Sequence, residues 1–290
     1  MSLSSLLSVN ILLLNPNSSL AMTKTMEESA NRVSAFYPVM PTANPHTRHQ
    51  TLADSSESMT ISTYTAPEQA PASIDNQQGI DASVEAVTND PEFMPWFRSR
   101  AFDAVLVACF SVHPLVTQLA HSLKPVPVIG IFEASILNVL PLIPMAEADR
   151  AQKQRKWGIV TTGAFWETHL SNGVAAFLGS STASSSFNDP RFAGVFSTGL
   201  NAGDFHTLYP YEIDERLREA TKRLLSSGDI TCVVMGCGGM GGLQDMIRTI
   251  VIEEYGRERA KDVYIVDGVR AGVLQLQQTV QSRRIFGVVE

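Results

Sequence analysis

Two halves of the chain carry the same succession of short apolar runs and helix-spaced apolar residues, and few folds accommodate that pattern. In the first half, residues 9–14 form a continuous apolar run, as in a strand covered on both faces. Met22, Met26, Val33 and Phe36 then recur at helical spacing. Residues 59–65 read as a short strand, and Ile80, Val84 and Val87 mark another helix. A buried strand at 104–108 ends at Cys109, Pro114 suits a first helical turn, and 126–131 reads as a fourth strand. The second half repeats this order. Strands are predicted at 158–161, 192–197, 230–235 and 263–266. Between them, helices begin at 165–170, step through Ile213, Leu217, Ala220 and Leu224, and carry Met246, Ile247 and Ile250. Alternating strands and helices imply right-handed crossovers and parallel sheets.

The expected fold is therefore α/β, with two pseudo-symmetric lobes. Each has a central, mostly parallel four-stranded sheet flanked by helices, and the site lies in the interlobe cleft, beyond the carboxyl ends of the strands. Residues 41–58 are polar, rich in Ser and Thr and without periodicity, and read as a mobile insertion.

Composition narrows the function. The 290 residues carry a net charge of -7 with no lysine or arginine stripe, which argues against a nucleic-acid partner. The apolar run near the N-terminus has no Lys or Arg before it and no small-residue cleavage site after it. It passes into Asn15-Pro16-Asn17-Ser18-Ser19, so it reads as a strand entering a turn rather than a leader. No segment approaches the ~20 apolar residues of a membrane span. Three cysteines rule out a disulfide scaffold and point to reduced thiols in a cytoplasmic compartment. They lack C-x-x-C spacing and the six histidines form no ligand pair, so no metal is expected.

The repeat puts Cys109 and Cys237 at equivalent places, each just after the third strand of its half. Facing lobes would bring the two thiols together across the cleft. Helix N-termini following both positions would lower their pKa values towards neutrality. One thiolate could then take a proton from a carbon while the opposing thiol delivers one to the other face. Cys232 lies inside a strand and reads as core, and His113 reads as a solvent-facing helix start.

Residues 236–241, Gly-Cys-Gly-Gly-Met-Gly, satisfy the G-x-G-x-x-G pattern, with Asp267 ending the following strand. The equivalent first-half loop, Cys109-Phe110-Ser111-Val112, has no glycine. What the two loops share is the cysteine, so a dinucleotide cofactor is not expected, and the glycines read as room for a ligand and N–H groups for an oxyanion. The loops at Asn15-Pro16-Asn17-Ser18 and Thr161-Thr162-Gly163 either hold ligand oxygens or cap helices. Glu133 and Asp267 follow the fourth strands, with helix capping as the default reading. Phe110, Phe132, Phe165 and Trp166 flank these loops and either wall a pocket or fill the core.

The segments ILLLNPNSS, FDAVLVACFSVHPL, VPVIGIFEAS, WGIVTTGAFW, FAGVFSTG, VVMGCGGMGGL and VYIVDGVRAGV, in this order, resemble the aspartate/glutamate/hydantoin racemase superfamily, within it the hydantoin and allantoin racemase branch. The resemblance spans Val9 to Val273. It implies a cofactor-free site between two lobes, with residues 1–124 plus 262–290 forming the first and 125–261 the second. It implies Cys109 and Cys237 as the catalytic pair. Asn15, Phe110, Ser111, Thr161, Thr162, Gly238, Gly239 and Met240 would bind a small-molecule substrate, and a homo-oligomer is consistent with the family. The chain departs from the family pattern at Ser111-Val112, where many hydantoin racemases have Gly-Asp or Ser-Asp. It also has Gly238 where alanine is usual.

The function expected is cofactor-independent racemisation or epimerisation of 5-substituted hydantoins or related ureides by two-cysteine proton transfer. The alternatives are a maleate-isomerase-like cis–trans isomerase, an aspartate or glutamate racemase, and a non-catalytic small-molecule binding protein on the same scaffold.

Overall fold

The computed structural model describes residues 8–34, 59–143, 154–179 and 189–287. The segment read as an insertion, 41–58, lies outside them. Among the described residues are two four-stranded sheets with the same topology. The first contains β1 (Val9–Asn15), β2 (Met59–Thr65), β3 (Ala104–Val107) and β4 (Val128–Gly130), in the order β2-β1-β3-β4. The second contains β5 (Arg155–Thr161), β6 (Phe192–Ser197), β7 (Asp229–Gly236) and β8 (Tyr264–Asp267), in the order β6-β5-β7-β8. Every ladder is parallel. The chain leaves the first strand of each sheet towards one edge and later returns to its other side. That reversal opens a crevice at the carboxyl ends of the two central strands.

The helices are α1 (Leu20–Ser34), α2 (Gln77–Thr88), α3 (Phe93–Arg98), α4 (Pro114–Ser122), α5 (Ile131–Val139), α6 (Phe165–Phe177), α7 (Pro210–Ser226), α8 (Gln244–Ala260) and α9 (Gly268–Phe286). Strand side chains alternate faces, and the cores follow that period. Leu12, Leu14, Val105 and Val107 pack outward with Phe93, Phe97 and Leu115, beneath α3 and α4. Ile11, Leu13, Ala104 and Leu106 face inward instead. They share one central core with Trp157, Ile159, Cys232 and Val234 of the second sheet. On the far side, Val160, Val233 and Met235 pack with Leu217, Leu224, Ile247 and Ile250 of α7 and α8. No helix among the described residues is long and apolar enough to cross a membrane.

The central core is shared because α5 and α9 leave their own sheets. Both follow the fourth strand of a sheet, pack against each other and reach the opposite lobe. From α5, Phe132, Ile136 and Val139 join the inner face of the second sheet, while Val269, Val273 and Leu276 of α9 join that of the first. The expected boundaries at 124/125 and 261/262 therefore need correction. β4 pairs with β3 and β8 with β7, so each fourth strand stays with its own sheet and the following helix crosses. The fourth strand read at 126–131 is also shorter, because α5 begins at Ile131 immediately after β4.

The crossing of α9 depends on Gly272. A Cβ there would lie 2.4 Å from Leu106 Cδ1, inside the packed core. Overpacking of this kind typically costs about 1–3 kcal/mol. Gly272→Ala should lower stability by that amount in urea unfolding while leaving the secondary structure by circular dichroism intact. An unchanged midpoint would show that the helix is not held as tightly as described.

Candidate active site

A cleft opens between the carboxyl ends of the two sheets. Its lining is built from equivalent pieces of the two lobes. Asn17 and Thr162 come from the loops after β1 and β5, and Cys109 and Cys237 follow β3 and β7. Met22 and Met26 of α1 stand where α6 contributes Trp166. Ile74 and Ala202 come from the loops after β2 and β6. Both cysteine sulfurs therefore border a single small chamber, and both residues keep part of their surface open.

The cysteine loops touch directly across the lobes. A Cβ at Gly238 would fall 2.7 Å from Met26 Sδ and 3.2 Å from the carbonyl oxygen of Ala108, the neighbour of Cys109. At Gly236 a Cβ would lie 2.6 Å from Ile159 Cγ2 and 3.0 Å from the Val160 carbonyl oxygen. Close backbone approach explains these glycines without a phosphate ligand. Among the described residues, no group of three or more His, Cys, Asp or Glu gathers in a way that could hold a metal ion.

The two sulfurs have different partners. Cys237 precedes a 3₁₀ turn (Gly238–Met240), and its Sγ accepts the Gly239 N–H at 3.3 Å. Cys109 Sγ accepts the Ser111 hydroxyl at 3.4 Å. The expectation of near-neutral thiols is overturned. Burial pushes Cys109 up to about 12, partly offset by the Ser111 hydroxyl, with the charges of Cys237, Glu133 and Asp75 adding to the rise. Burial likewise pushes Cys237 up to about 11, against the N–H groups of Gly239 and Met240. Desolvation of the thiolate outweighs the donors the backbone supplies. The α4 terminus does not reach Cys109, because His113 caps it by accepting the Leu115 N–H at 3.3 Å.

His113 is buried rather than solvent-facing. Its Nε2 meets Ser83 Oγ at 3.0 Å, and burial lowers its pKa to about 4, so the ring is neutral. Asp267 caps α9 through the Val269 and Arg270 N–H groups and accepts the Ser29 hydroxyl at 2.8 Å, a structural knot. Glu133 lies in the first turn of α5, and burial pushes its carboxyl up to about 7. Cys232 is fully buried within β7, and all three cysteines are unpaired.

Of the residues expected to contact substrate, Phe110, Thr162, Gly238 and Gly239 line the cleft. Asn15, Ser111, Thr161 and Met240 do not. The Asn15 amide donates to Asn17 Oδ1 and Thr23 Oγ1, locking the turn after β1. Thr161 donates to the Gly236 carbonyl at 2.7 Å, joining β5 to β7. Ser111 is buried behind Cys109, and Met240 is packed among α7 and α8. Strand-end position does not show which way a loop side chain turns. Asn17, Met22, Met26, Ile74 and Ala202 are added to the lining, and the helical spacing of Met22 and Met26 had marked only a buried face. Asn17 Nδ2 donates to Met22 Sδ at 3.2 Å, a weak acceptor that a carbonyl oxygen could displace.

These environments predict an order of thiol reactivity. Iodoacetamide should label Cys237 first, Cys109 more slowly and Cys232 only on unfolding. Ser111→Ala should slow labelling of Cys109 roughly tenfold, the size of one hydrogen bond to a charged acceptor. Equal rates at Cys109 and Cys237 would contradict the asymmetry.

The Asp/Glu/hydantoin racemase family model matches residues 11–276. Protein DCG1 of Saccharomyces cerevisiae is 30% identical over 248 residues, covering 82% of this chain and 85% of that protein. A hydantoin racemase of Pseudomonas sp. strain NS671 is 24% identical over 265 residues, covering 91% and 83%. Among solved structures, allantoin racemase from Klebsiella pneumoniae superposes with a TM-score of 0.65 at 23% identity, covering 97% of this chain and 89% of that one. The chain belongs to the Asp/Glu/hydantoin racemase family and is an isomerase of the racemase type.

Proposed function

We propose that this racemase inverts the carbon between a carbonyl and a ring nitrogen in 5-substituted hydantoins or related cyclic ureides, with Cys109 and Cys237 as its two acid–base groups. The observation that carries the reading is the placement of both sulfurs on one cleft, each after the third strand of its own sheet. A proton removed from one face of a carbon and returned to the other needs one group on each side, and two lobes related in this way supply them.

In one direction the Cys237 thiolate removes the C5 proton and becomes a thiol, while the bond's electron pair moves into the adjacent carbonyl as an enolate. The Cys109 thiol then protonates the opposite face and is left as a thiolate. The reverse direction exchanges the roles, and solvent resets the pair. Asn17 Nδ2 and the Thr162 hydroxyl, of residues that line the cleft from equivalent loops, would donate to the ring oxygens. The carbonyl next to the reacting carbon supplies the acidity, so the scheme needs no cofactor. A reducing, cytoplasmic compartment suits a site that depends on two free thiols.

The lining residues favour a neutral substrate. Among the described residues, no lysine, arginine or histidine lines the cleft, whereas aspartate, glutamate and maleate each carry two carboxylates that would have to be desolvated there. Phe110, Met22, Met26 and Trp166 offer apolar surface to the C5 substituent.

A single enantiomer of 5-methylhydantoin should lose its optical rotation with the enzyme. Cys109→Ser and Cys237→Ser should each lower kcat by about 10²–10⁴-fold, the usual share of a positioned acid or base. Full activity in either variant would refute the assignment. The pH dependence follows from the sign of the thiol shifts. The base must be ionised, and with Cys237 pushed up to about 11 its thiolate grows with pH throughout the neutral range. Cys109, at about 12, still holds the proton it must give. With an N3-methylated hydantoin, kcat/KM should rise about tenfold per unit from pH 7 to 9. A flat profile would show that the resting thiols are not the titrating pair.

A further inference from the structure

The loop after β2 carries a charged residue that sequence reasoning passed over. This loop is tied to the turn after β1, where Ser18 N–H donates to the Pro71 carbonyl at 3.1 Å and Ser18 Oγ to the Ala70 carbonyl at 2.9 Å. It then places Ile74 in the wall of the cleft, and Asp75 is the next residue along the chain. Asp75 Oδ1 accepts the Ser73 hydroxyl at 2.9 Å and, from the other lobe, the Ala202 N–H at 3.2 Å. Ala202 is the first residue of a 3₁₀ turn (Ala202–His206) and itself lines the cleft. The bond therefore bridges the two lobes at the rim of the chamber. A Cβ on Gly203 would be 3.9 Å from Ser73 Cβ, so little more than a methyl group's space separates the two loops there.

Among the described residues, this carboxylate is the charged group whose field reaches both cysteines. The other charges felt at Cys109 are Glu133 and Cys237, both negative when ionised. Among the described residues, no basic side chain acts on either sulfur. His206, whose Nε2 stands near Gly239, has its pKa lowered by burial, which disfavours its charged form. Among the described residues, the chamber thus has a negative group near its edge and no lysine or arginine in its lining to offset it. A substrate carrying a carboxylate beside the reacting carbon meets like charge, without the Arg or Lys partner such a group needs.

We infer that Asp75 is a specificity-determining residue: bridged to Ala202 across the lobes, it holds a negative charge at the rim of the cleft and so admits neutral rings in preference to carboxylate-bearing ones. This inference rests on the hydantoin reading above and adds to it the residue that sets charge selection. Asp75→Asn is the decisive variant. Its amide oxygen can still accept from Ser73 and Ala202 N–H, so the bridge survives while the charge is lost. Asp75→Glu keeps the charge and serves as the conservative control.

The test compares 5-methylhydantoin, neutral at its substituent, with hydantoin-5-acetate, which carries a carboxylate. The native enzyme should prefer the neutral ring by kcat/KM. Asp75→Asn should reduce that preference about tenfold, and Asp75→Glu should restore it. Independently of any substrate, the pH profile of Cys237 alkylation should move down by about half a unit to one unit in Asp75→Asn, a shift that a merely structural bridge would not produce. If the preference and the alkylation profile are both unchanged in Asp75→Asn, the inference is overturned. If neither hydantoin is turned over by the native enzyme, the hydantoin reading fails. In that case, loss of thiol protection by hydantoin-5-acetate relative to 5-methylhydantoin, reversed in Asp75→Asn, would still support the role of Asp75, and equal protection by both would refute it.

Discussion

Helices α5 and α9 pack against each other at the centre of the molecule, and this contact decides where the two sheets can end. Each helix leaves the fourth strand of one sheet and buries its apolar face with the inner face of the other. Phe132 and Ile136 cross in one direction, and Val269 and Val273 in the other. With the inner faces fused into one core, the carboxyl edges are turned towards each other and the loops that follow β3 and β7 come into contact. The interval between Gly238 and the Ala108 carbonyl shows how little space separates them. Cys109 and Cys237 are brought to one chamber by the same packing that stabilises the molecule.

Burial makes the chemistry demanding as well as feasible. A thiol pushed up to about 11 is a rare base at neutral pH, on the order of 10⁻⁴ ionised, yet a strong one when it forms. A carbon-bound proton is a poor acid, so base strength matters. The local donors are unequal, with backbone N–H groups serving Cys237 and one hydroxyl serving Cys109. In the proposed scheme that inequality makes Cys237 the first to ionise and Cys109 the resting acid. The charge of Asp75 opposes ionisation of both thiols, and among the described residues neither Lys nor Arg lines the cleft.

The strands were legible because both faces of each sheet are covered, so β1, β3, β5 and β7 appear as continuous apolar runs. The cysteines were legible because strand order fixes which loops reach a crevice. The lobe boundary was not, since the crossing of α5 and α9 depends on partners far away in sequence. Side-chain direction within the loops was equally hidden. Asn15 turns into its own hairpin of hydrogen bonds, Thr161 towards β7, and Asn17 towards the cleft, although all three occupy similar strand-end positions. The sign of the thiol shifts was hidden too, because the helix termini can be read from sequence and the depth of burial cannot. Asp75, in a loop without periodicity, carried no signal until its bond to Ala202 placed it at the rim.

The central claim is that two different sulfurs handle the proton on opposite faces of one carbon. It is tested most directly by following the optical rotation of a single hydantoin enantiomer as the enzyme converts it in D2O. With two bases, the product forms deuterated while the remaining substrate still carries hydrogen. The slower return of the deuterated antipode should drive the rotation through zero before it settles at the racemate. A monotonic approach to zero, with the original hydrogen retained in the product, would mean that one group carries the proton to both faces and would contradict the account.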